Sequence, residues 1–222
     1  MGAARVESPH TRLRNGCSEK GLETGMKIIT ITGYKGGVGK STVAIHLAAF
    51  FSKKGKTVLV DGDPNRTSVA WAERGSLPFE VVDQRQAMKA VAGADFIIID
   101  TPARPDSDDL KELAKGCDLI VLPTAPDVLS LQPMLETCRA LPGAKYRALL
   151  TIVPPHPSRE GEIMQGELRQ AGIEVFDAMI RRTVGFPKSA LAGTTVETLD
   201  DPRQKAAWGD FESLGNEILA LI

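Results

Sequence analysis

The stretch Ile28–Thr42 constrains the fold of this chain more than any other. A short apolar run of β-branched residues leads into a glycine-rich turn that ends in Gly39-Lys40-Ser41, and an apolar helical pattern begins there. Glycines let backbone N–H groups turn inward around an anion, and a helix N-terminus adds unpaired donors and the positive end of its dipole. The pattern therefore predicts a phosphate-binding loop, in which Lys40 contacts the β- and γ-phosphates and the Ser41 hydroxyl ligates Mg²⁺. The alternative is a glycine turn that only joins a strand to a helix.

The loop departs from the usual phosphate-loop pattern at one position. Tyr34 stands where the first glycine is expected, and a second lysine, Lys35, follows it. The run Lys-Gly-Gly-Val-Gly-Lys-Ser that begins at Lys35 resembles the deviant Walker A motif of the ParA/MinD family of ATPases. This resemblance implies a homodimer in the ATP state, in which Lys35 crosses the interface to the partner's nucleotide; otherwise Lys35 is a solvated loop lysine. The implied nucleotide contacts are Lys35, Gly36, Gly37, Val38, Gly39, Lys40, Ser41 and Thr42.

Two further apolar runs end in acidic residues. The run from Thr57 leads into Asp61-Gly62-Asp63-Pro64-Asn65, and the run from Phe96 leads into Asp100-Thr101-Pro102-Ala103. Parallel strands place ligand sites at their carboxyl ends, so we expect these carboxylates beside the phosphates. Resemblance to the switch segments of the same family implies that Asp63 orients the attacking water, while Asp61 and Asp100 serve the Mg²⁺ shell. The alternative for Asp63 is a cap on the following helix. The implied catalytic residues are Lys35, Lys40 and Asp63, and the implied metal residues are Ser41, Asp61 and Asp100.

Strand-like and helix-like segments alternate along the chain, which predicts an α/β fold with a twisted, mostly parallel sheet and helices on both faces. Further strands are predicted at 77–83, 118–122, 146–153 and 173–176, and further helices at 66–74, 84–92 and 158–171. A closing helix is predicted over 202–222, with its apolar residues on one face. The stretch 188–198 contains little periodicity.

The length suits one domain. Residues 1–25 have almost no apolar periodicity, so we expect a disordered tail before a P-loop ATPase domain at 26–222. A basic arm or transit segment is the alternative for this tail, although Glu7, Glu19 and Glu23 argue against it. The tail has no apolar core of a secretory signal, and the apolar runs are too short to span a bilayer.

Charge and cysteine content narrow the class of protein. Lys and Arg total 27 and Asp and Glu total 28, so no bulk charge favours nucleic acid or membrane, and binding to either needs a local patch. Three widely spaced cysteines without a CxxC suit a reducing cytoplasm. The candidate DNA contacts are Arg147, Arg159, Arg169, Arg181, Arg182, Lys188, Arg203 and Lys205.

The resemblance covers residues 27–222 and implies a small ParA-type ATPase of the short plasmid-partition branch. Such a protein uses ATP and Mg²⁺, dimerises, binds DNA nonspecifically at the bacterial nucleoid, and is stimulated by a ParB-like or other cargo adaptor. The last turns of the closing helix carry no lysine, which argues against a membrane-associated MinD-like protein. A metabolic ATP-dependent enzyme on the same fold is the third possibility. No Asn-Lys-x-Asp guanine motif is present, which favours ATP, but Val153-Pro154 replaces the family's adenine-reading Asn.

Overall fold

The computed structural model describes residues 25–222, and the predicted tail lies almost entirely outside them. Six parallel strands form one sheet in the order β3-β2-β4-β1-β5-β6. The prediction of a parallel α/β sheet is therefore confirmed. The strands are β1 (Lys27–Ile31), β2 (Thr57–Asp61), β3 (Glu80–Asp83), β4 (Phe96–Asp100), β5 (Leu119–Thr124) and β6 (Tyr146–Leu150).

Helices cover both faces of this sheet, as the sequence predicted. They are α1 (Lys40–Ser52), α2 (Thr67–Ala72), α3 (Ala87–Ala90), α4 (Ser107–Lys115), α5 (Val128–Ala140), α6 (Glu160–Gln170), α7 (Gly185–Ala192), α8 (Pro202–Lys205) and α9 (Trp208–Leu219), with a 3₁₀ turn at Val196–Thr198. Side chains alternate along each strand, so one face of the sheet packs on α1 and α9 while the other packs on α3 to α6. Within residues 25–222, no helix is long and apolar enough to cross a membrane.

The order of the strands decides where the functional segments meet. The strand β1 lies at the centre, with β4 on one side and β5 on the other. The carboxyl ends of β1, β2 and β4 are aligned, because Ile31 and Asp61 both pair with Asp100. The glycine-rich turn after β1 and the two acidic segments therefore share one edge of the sheet, which is the arrangement that open parallel sheets use for ligands.

The segment 173–176, which the sequence predicted as a strand, makes only one bridge, between Val175 and Ala148 of β6. The chain then turns toward α9, where the backbone N–H groups of Asp177 and Ala178 donate to the carboxylate of Glu217. Ala178 N–H, the next amide on the β6 side after Phe176 N–H, is therefore not available to β6. The prediction of a full strand was wrong, because this segment pairs with β6 only around Ala148 and the ladder does not continue past Phe176.

The C-terminal region also differs from the prediction. The single helix expected over 202–222 is divided into α8 and α9, with tighter bonds of the 3₁₀ type, such as Ala207 N–H to Gln204 C=O at 3.1 Å, at the break. The predicted apolar face is nevertheless present, since Trp208, Phe211, Leu214 and Ile218 are buried. The stretch 188–198, where little periodicity was found, contains most of α7 and the 3₁₀ turn.

Candidate nucleotide-binding site

The glycine-rich turn between β1 and α1 has the geometry of an anion-binding loop. Gly37 and Gly39 have φ values of 76° and 85°, in the left-handed region that favours glycine. The carbonyl of Gly39 accepts the first helical hydrogen bond, from Val43 N–H at 2.8 Å. The first turn of α1 has no acidic residue, so its unpaired N–H groups and positive dipole end are left for an anion.

The two lysines of the loop occupy different environments. Lys40 is 8% exposed, and its Nζ donates to the carbonyl of Lys35 at 3.0 Å. Burial lowers the pKa of Lys40, while the nearby charges of Asp100 and Asp63 oppose that shift. The Lys35 side chain is 32% exposed. Lys40 is thus enclosed by the loop, whereas Lys35 stands at its rim.

The end of the Lys35 side chain is held by the start of α5. Its Nζ donates to Ser130 Oγ at 2.7 Å and lies 3.4 Å from Asp127 Oδ1. Asp127 is the N-cap of α5, because its side chain also accepts the backbone N–H of Ser130. The rim lysine is therefore bound within its own chain in this structure.

Asp100, at the end of β4, is fully buried and has one carboxylate oxygen without a partner. Its Oδ2 accepts a hydrogen bond from Ser68 Oγ at 2.8 Å. Its Oδ1 is buried and has no hydrogen-bond partner within residues 25–222. Burial raises the pKa of Asp100 to about 6, although the nearby hydroxyls of Ser41 and Ser68 oppose the shift. A buried carboxylate oxygen close to a serine hydroxyl is a donor set that fits Mg²⁺, which takes one or two protein ligands and completes its shell with phosphates and water.

Asp61 is placed beside Asp100, but both of its oxygens are already engaged. Oδ1 accepts the backbone N–H of Asp63 at 3.0 Å, and Oδ2 accepts that of Val69 at 2.9 Å. Asp61 therefore holds the turn after β2 and the beginning of α2. This role is structural and was not foreseen from the sequence.

Asp63 is half-buried and forms a local turn. Its Oδ1 accepts both the backbone N–H of Asn65 at 2.9 Å and the Asn65 side-chain amide at 3.0 Å. The helix amide that a cap would satisfy is instead bound by Asp61. Asp63 is close enough to Lys40 for its charge to oppose the lowering of the pKa of that lysine by burial.

A cavity of about 360 Å³ adjoins the loop. Its wall is mainly apolar and combines the start of α1 with α2, the end of β6, the segment 180–183 and α7. The lining residues are Gly37, Gly39, Thr42, Val43, Trp71, Thr151, Ile152, Ile180, Arg181, Arg182, Thr183, Phe186, Pro187 and Ala190. An apolar slot beside an anion-binding loop suits the nucleoside part of a nucleotide. The structure thus places Arg181 and Arg182, two of the candidate DNA contacts, at this cavity.

The eight candidate DNA contacts divide into two groups. Four arginines pair with acids: Arg147 with Glu174, Arg159 with Glu162, Arg169 with Asp177 and Arg181 with Asp210. The remaining four, Arg182, Lys188, Arg203 and Lys205, are exposed and have no acidic partner among the residues that the structure covers.

Three residues of this site were not found from the sequence. Ser68 and Trp71 lie on α2, and Ser130 lies on α5. All three therefore reach the site from helices outside the glycine-rich loop. Only Ser130 had a local signal, since Asp127, three residues before it, is a residue type preferred at helix N-caps. The contacts of Ser68 and Trp71 depend on how α2 docks.

Comparison with known proteins agrees with this geometry. A family model described as the CobQ/CobB/MinD/ParA nucleotide binding domain matches residues 29–196. Maintenance of carboxysome distribution protein A of Gloeobacter kilaueensis is 33% identical over 202 residues, covering 86% of this chain and 94% of that protein.

Two solved structures share the fold. The apo McdA of Cyanothece gives a TM-score of 0.67 at 15% identity, covering 86% of this chain and 100% of the other. The septum site-determining protein MinD of Pyrococcus horikoshii, complexed with Mg-ADP, gives 0.62 at 22% identity, covering 87% and 96%. The family match covers most of the chain and includes the loop and both acidic segments, so this protein belongs to the CobQ/CobB/MinD/ParA family of nucleotide-binding domains.

Proposed function

We propose that this protein is an ATP-dependent dimerising ATPase that positions or partitions a cargo and binds DNA nonspecifically in its ATP state. The observation that carries the proposal is the arrangement of the two loop lysines. Lys40 is enclosed and can serve the nucleotide of its own chain, whereas Lys35 stands at the rim, where it can reach a second molecule. A cation supplied from a partner neutralises phosphate charge only when two loaded subunits meet.

The residues of the loop supply the binding and hydrolysis steps. Backbone N–H groups at the start of α1 bind the phosphates, and Lys40 exchanges the Lys35 carbonyl for the β- and γ-phosphates. Ser41 and Asp100 would hold Mg²⁺, which neutralises phosphate charge when bound. Asp63 orients the attacking water. With one carboxylate and two lysines, turnover without a stimulating partner is expected to be slow.

Dimerisation requires Lys35 to leave Asp127 and Ser130. The contact combines an ion pair to Asp127 at the surface with a partly buried hydrogen bond to Ser130. Surface ion pairs contribute about 0–1 kcal/mol, so a second phosphate-bearing subunit can displace Lys35. Two apolar side chains beside Asp127, Val128 and Leu129, are 79% and 78% exposed. They provide a surface that a second copy of the chain would bury.

The nucleoside cavity supports a purine nucleotide, although base recognition must differ from the asparagine contact of the family. Ile152 lines the cavity in a left-handed conformation with φ of 55°, which is strained for a β-branched residue. Among the described residues, none pairs with its backbone N–H or C=O. A free backbone donor and acceptor can bind the edge of adenine, so we assign ATP as the nucleotide.

The proposed DNA contacts are Lys188, Arg203 and Lys205, which have no acidic partner in the described part of the chain, whereas Arg182 lines the nucleoside cavity. Gly185 at the start of α7 packs against Gln204 of α8, where a Cβ would lie 3.1 Å from the Gln204 Cβ. Lys188, Arg203 and Lys205 are therefore on neighbouring helices and can form one basic surface. Phosphate contacts of this kind do not read sequence.

One observation argues against a membrane-bound function. The apolar face of α9 packs on α1, so Trp208, Phe211, Leu214 and Ile218 are not available to a lipid surface. We therefore place the protein in the cytoplasm, on the nucleoid.

The relative from Gloeobacter kilaueensis is named for the distribution of carboxysomes. This name supports a protein assembly as the cargo, and a plasmid is the alternative cargo. In either case we propose that an adaptor on the cargo stimulates hydrolysis.

The test is binding to a random-sequence duplex with ATP and Mg²⁺, with ADP, and without nucleotide, across a salt series. We expect binding only with ATP, weakening as salt rises. The double variant Arg203→Ala/Lys205→Ala removes four cations per dimer and should make the negative slope of log K against log[salt] shallower by about 3.6. The charge-matched control Arg159→Ala/Arg169→Ala removes ion-paired arginines and should change it less. Equal binding in all nucleotide states would contradict the proposal.

A further inference from the structure

We propose that Ser68 is a positioning residue of the magnesium site, because its hydroxyl binds one oxygen of Asp100 and leaves the other free for the metal shell. The inference rests on the proposed function, since it needs Mg²⁺ and nucleotide at this loop. Ser68 belongs to neither the loop nor the two acidic segments. It reaches Asp100 from α2, 32 residues away in sequence.

Ser68 is the second residue of α2, so no carbonyl of its own helix lies three or four residues before it. Ser68 is fully buried, and its hydroxyl donates at 2.8 Å to a carboxylate of another element. The contact satisfies a buried hydroxyl and one oxygen of a buried carboxylate at once, so removing the hydroxyl would leave Asp100 Oδ2 without this partner.

Three contacts hold Ser68 at this position. The next backbone amide, Val69 N–H, donates to Asp61 Oδ2 at 2.9 Å, which fixes the start of α2 to the end of β2. The indole N–H of Trp71 donates to the Thr194 carbonyl at 2.9 Å. At Gly75, just beyond α2, a Cβ would lie 2.3 Å from the Ala192 carbonyl oxygen, so the two backbones are in close contact. The helix cannot rotate without breaking these contacts.

The arrangement leaves one buried carboxylate oxygen available at the edge of the sheet. Asp61 has both oxygens bound to backbone amides, and Asp100 Oδ2 is bound to Ser68. Asp100 Oδ1 is the buried carboxylate oxygen without a partner in the described part of the chain. Ser68 therefore selects which oxygen of Asp100 faces the metal shell, and it restricts rotation of the carboxylate.

The test measures ATP affinity by calorimetry at a series of free Mg²⁺ concentrations and in EDTA. Partners that orient a metal-site ligand typically contribute 10- to 100-fold to metal affinity, so Ser68→Ala should raise the half-saturating Mg²⁺ concentration by about that factor and leave affinity in EDTA unchanged. Ser68→Thr keeps the hydroxyl and should restore the Mg²⁺ requirement. Ser68→Cys keeps the volume with a weaker donor and should behave like Ser68→Ala.

The matched control is Ser189→Ala. Ser189 is also fully buried, but its hydroxyl donates to the carbonyl of Phe186 in its own helix, so this variant should match the wild type. A Mg²⁺ requirement that is unchanged in Ser68→Ala would overturn the inference while leaving the proposed function intact. An equal loss of affinity in EDTA and in Mg²⁺ would also overturn it, because it would indicate general damage. Failure of the wild type to bind ATP would overturn both proposals.

Discussion

His46 provides the sharpest test of the structure, because it is a buried titratable group that the proposed chemistry does not use. It lies on α1 with no exposed surface. Its Nε2 accepts the backbone N–H of Val196 at 3.1 Å, so the proton is on Nδ1, which donates to the Thr42 carbonyl at 2.8 Å. Its ring stacks on Phe211, with the centroids 4.7 Å apart. The neutral ring is thus specified by its contacts, and protonation at Nε2 would break the bond to Val196.

Burial lowers the pKa of His46 from 6.5 to about 4. The unfolded chain therefore binds a proton between these values that the folded chain does not bind. Stability is unaffected above pH 6.5 and falls as the pH decreases from there toward 4. At 1.36 kcal/mol per unit of pKa difference, the full loss is about 3 kcal/mol, and the loss between pH 7.5 and pH 5 is about 2 kcal/mol.

The assay is urea unfolding of the wild type and of His46→Gln at both pH values. Glutamine can accept the Val196 hydrogen bond without titrating, although it loses the stacking contact and so starts less stable. The difference in unfolding free energy between the two proteins should shrink by about 2 kcal/mol from pH 7.5 to pH 5. Asp100, whose raised pKa of about 6 acts in the opposite direction, is present in both proteins and cancels. The same difference at both pH values would refute the assignment of a neutral, doubly bonded His46.

The remaining predictions concern the loop and the packing of α9. Lys40→Ala should abolish ATP binding in calorimetry, and measurable affinity close to that of the wild type would remove Lys40 from the phosphate site. Lys35→Ala should retain binding but lose ATP-dependent dimerisation in light scattering; an unchanged dimer would contradict a lysine acting across the interface. Asp63→Ala should accumulate the ATP dimer, whereas normal phosphate release would exclude Asp63 from hydrolysis. Gly215→Ala should destabilise the fold by about 1–3 kcal/mol, because its Cβ would lie 2.3 Å from a phenyl ring of α1, while Gly209→Ala in the same helix meets no atom within 4 Å and should not destabilise it.

Much of the fold and the core of the site could be predicted from the sequence because they depend on local rules. The loop needs glycines where φ is positive, and Gly37 and Gly39 supply them. Buried parallel strands need continuous apolar runs, and an acid at the end of such a run lies at the ligand edge of the sheet. Lys40, Ser41 and Asp100 could therefore be predicted to lie at this edge from their positions in the sequence.

The roles of the two strand-ending aspartates could not be separated in this way. Asp61 and Asp100 are each the last residue of an apolar strand, and they are paired with each other in the sheet. Only the docking of α2 distinguishes them, because its backbone binds Asp61 while its serine binds Asp100. The same holds for the arginines, since nothing near Arg181 in the sequence indicates that Asp210 would bind it.

The sequence by itself determined the sheet, the loop and the edge at which the lysines and carboxylates meet. Within the described residues, the tertiary structure decided which carboxylate oxygen has no partner, which cations have no acidic partner, where Lys35 is held, and that His46 is neutral. Hydrophobic patterning and backbone conformation are properties of neighbouring residues, so a sequence displays them directly. Hydrogen bonds and desolvation depend on distances of a few ångströms between residues far apart in the chain, and these distances exist only after the helices have packed.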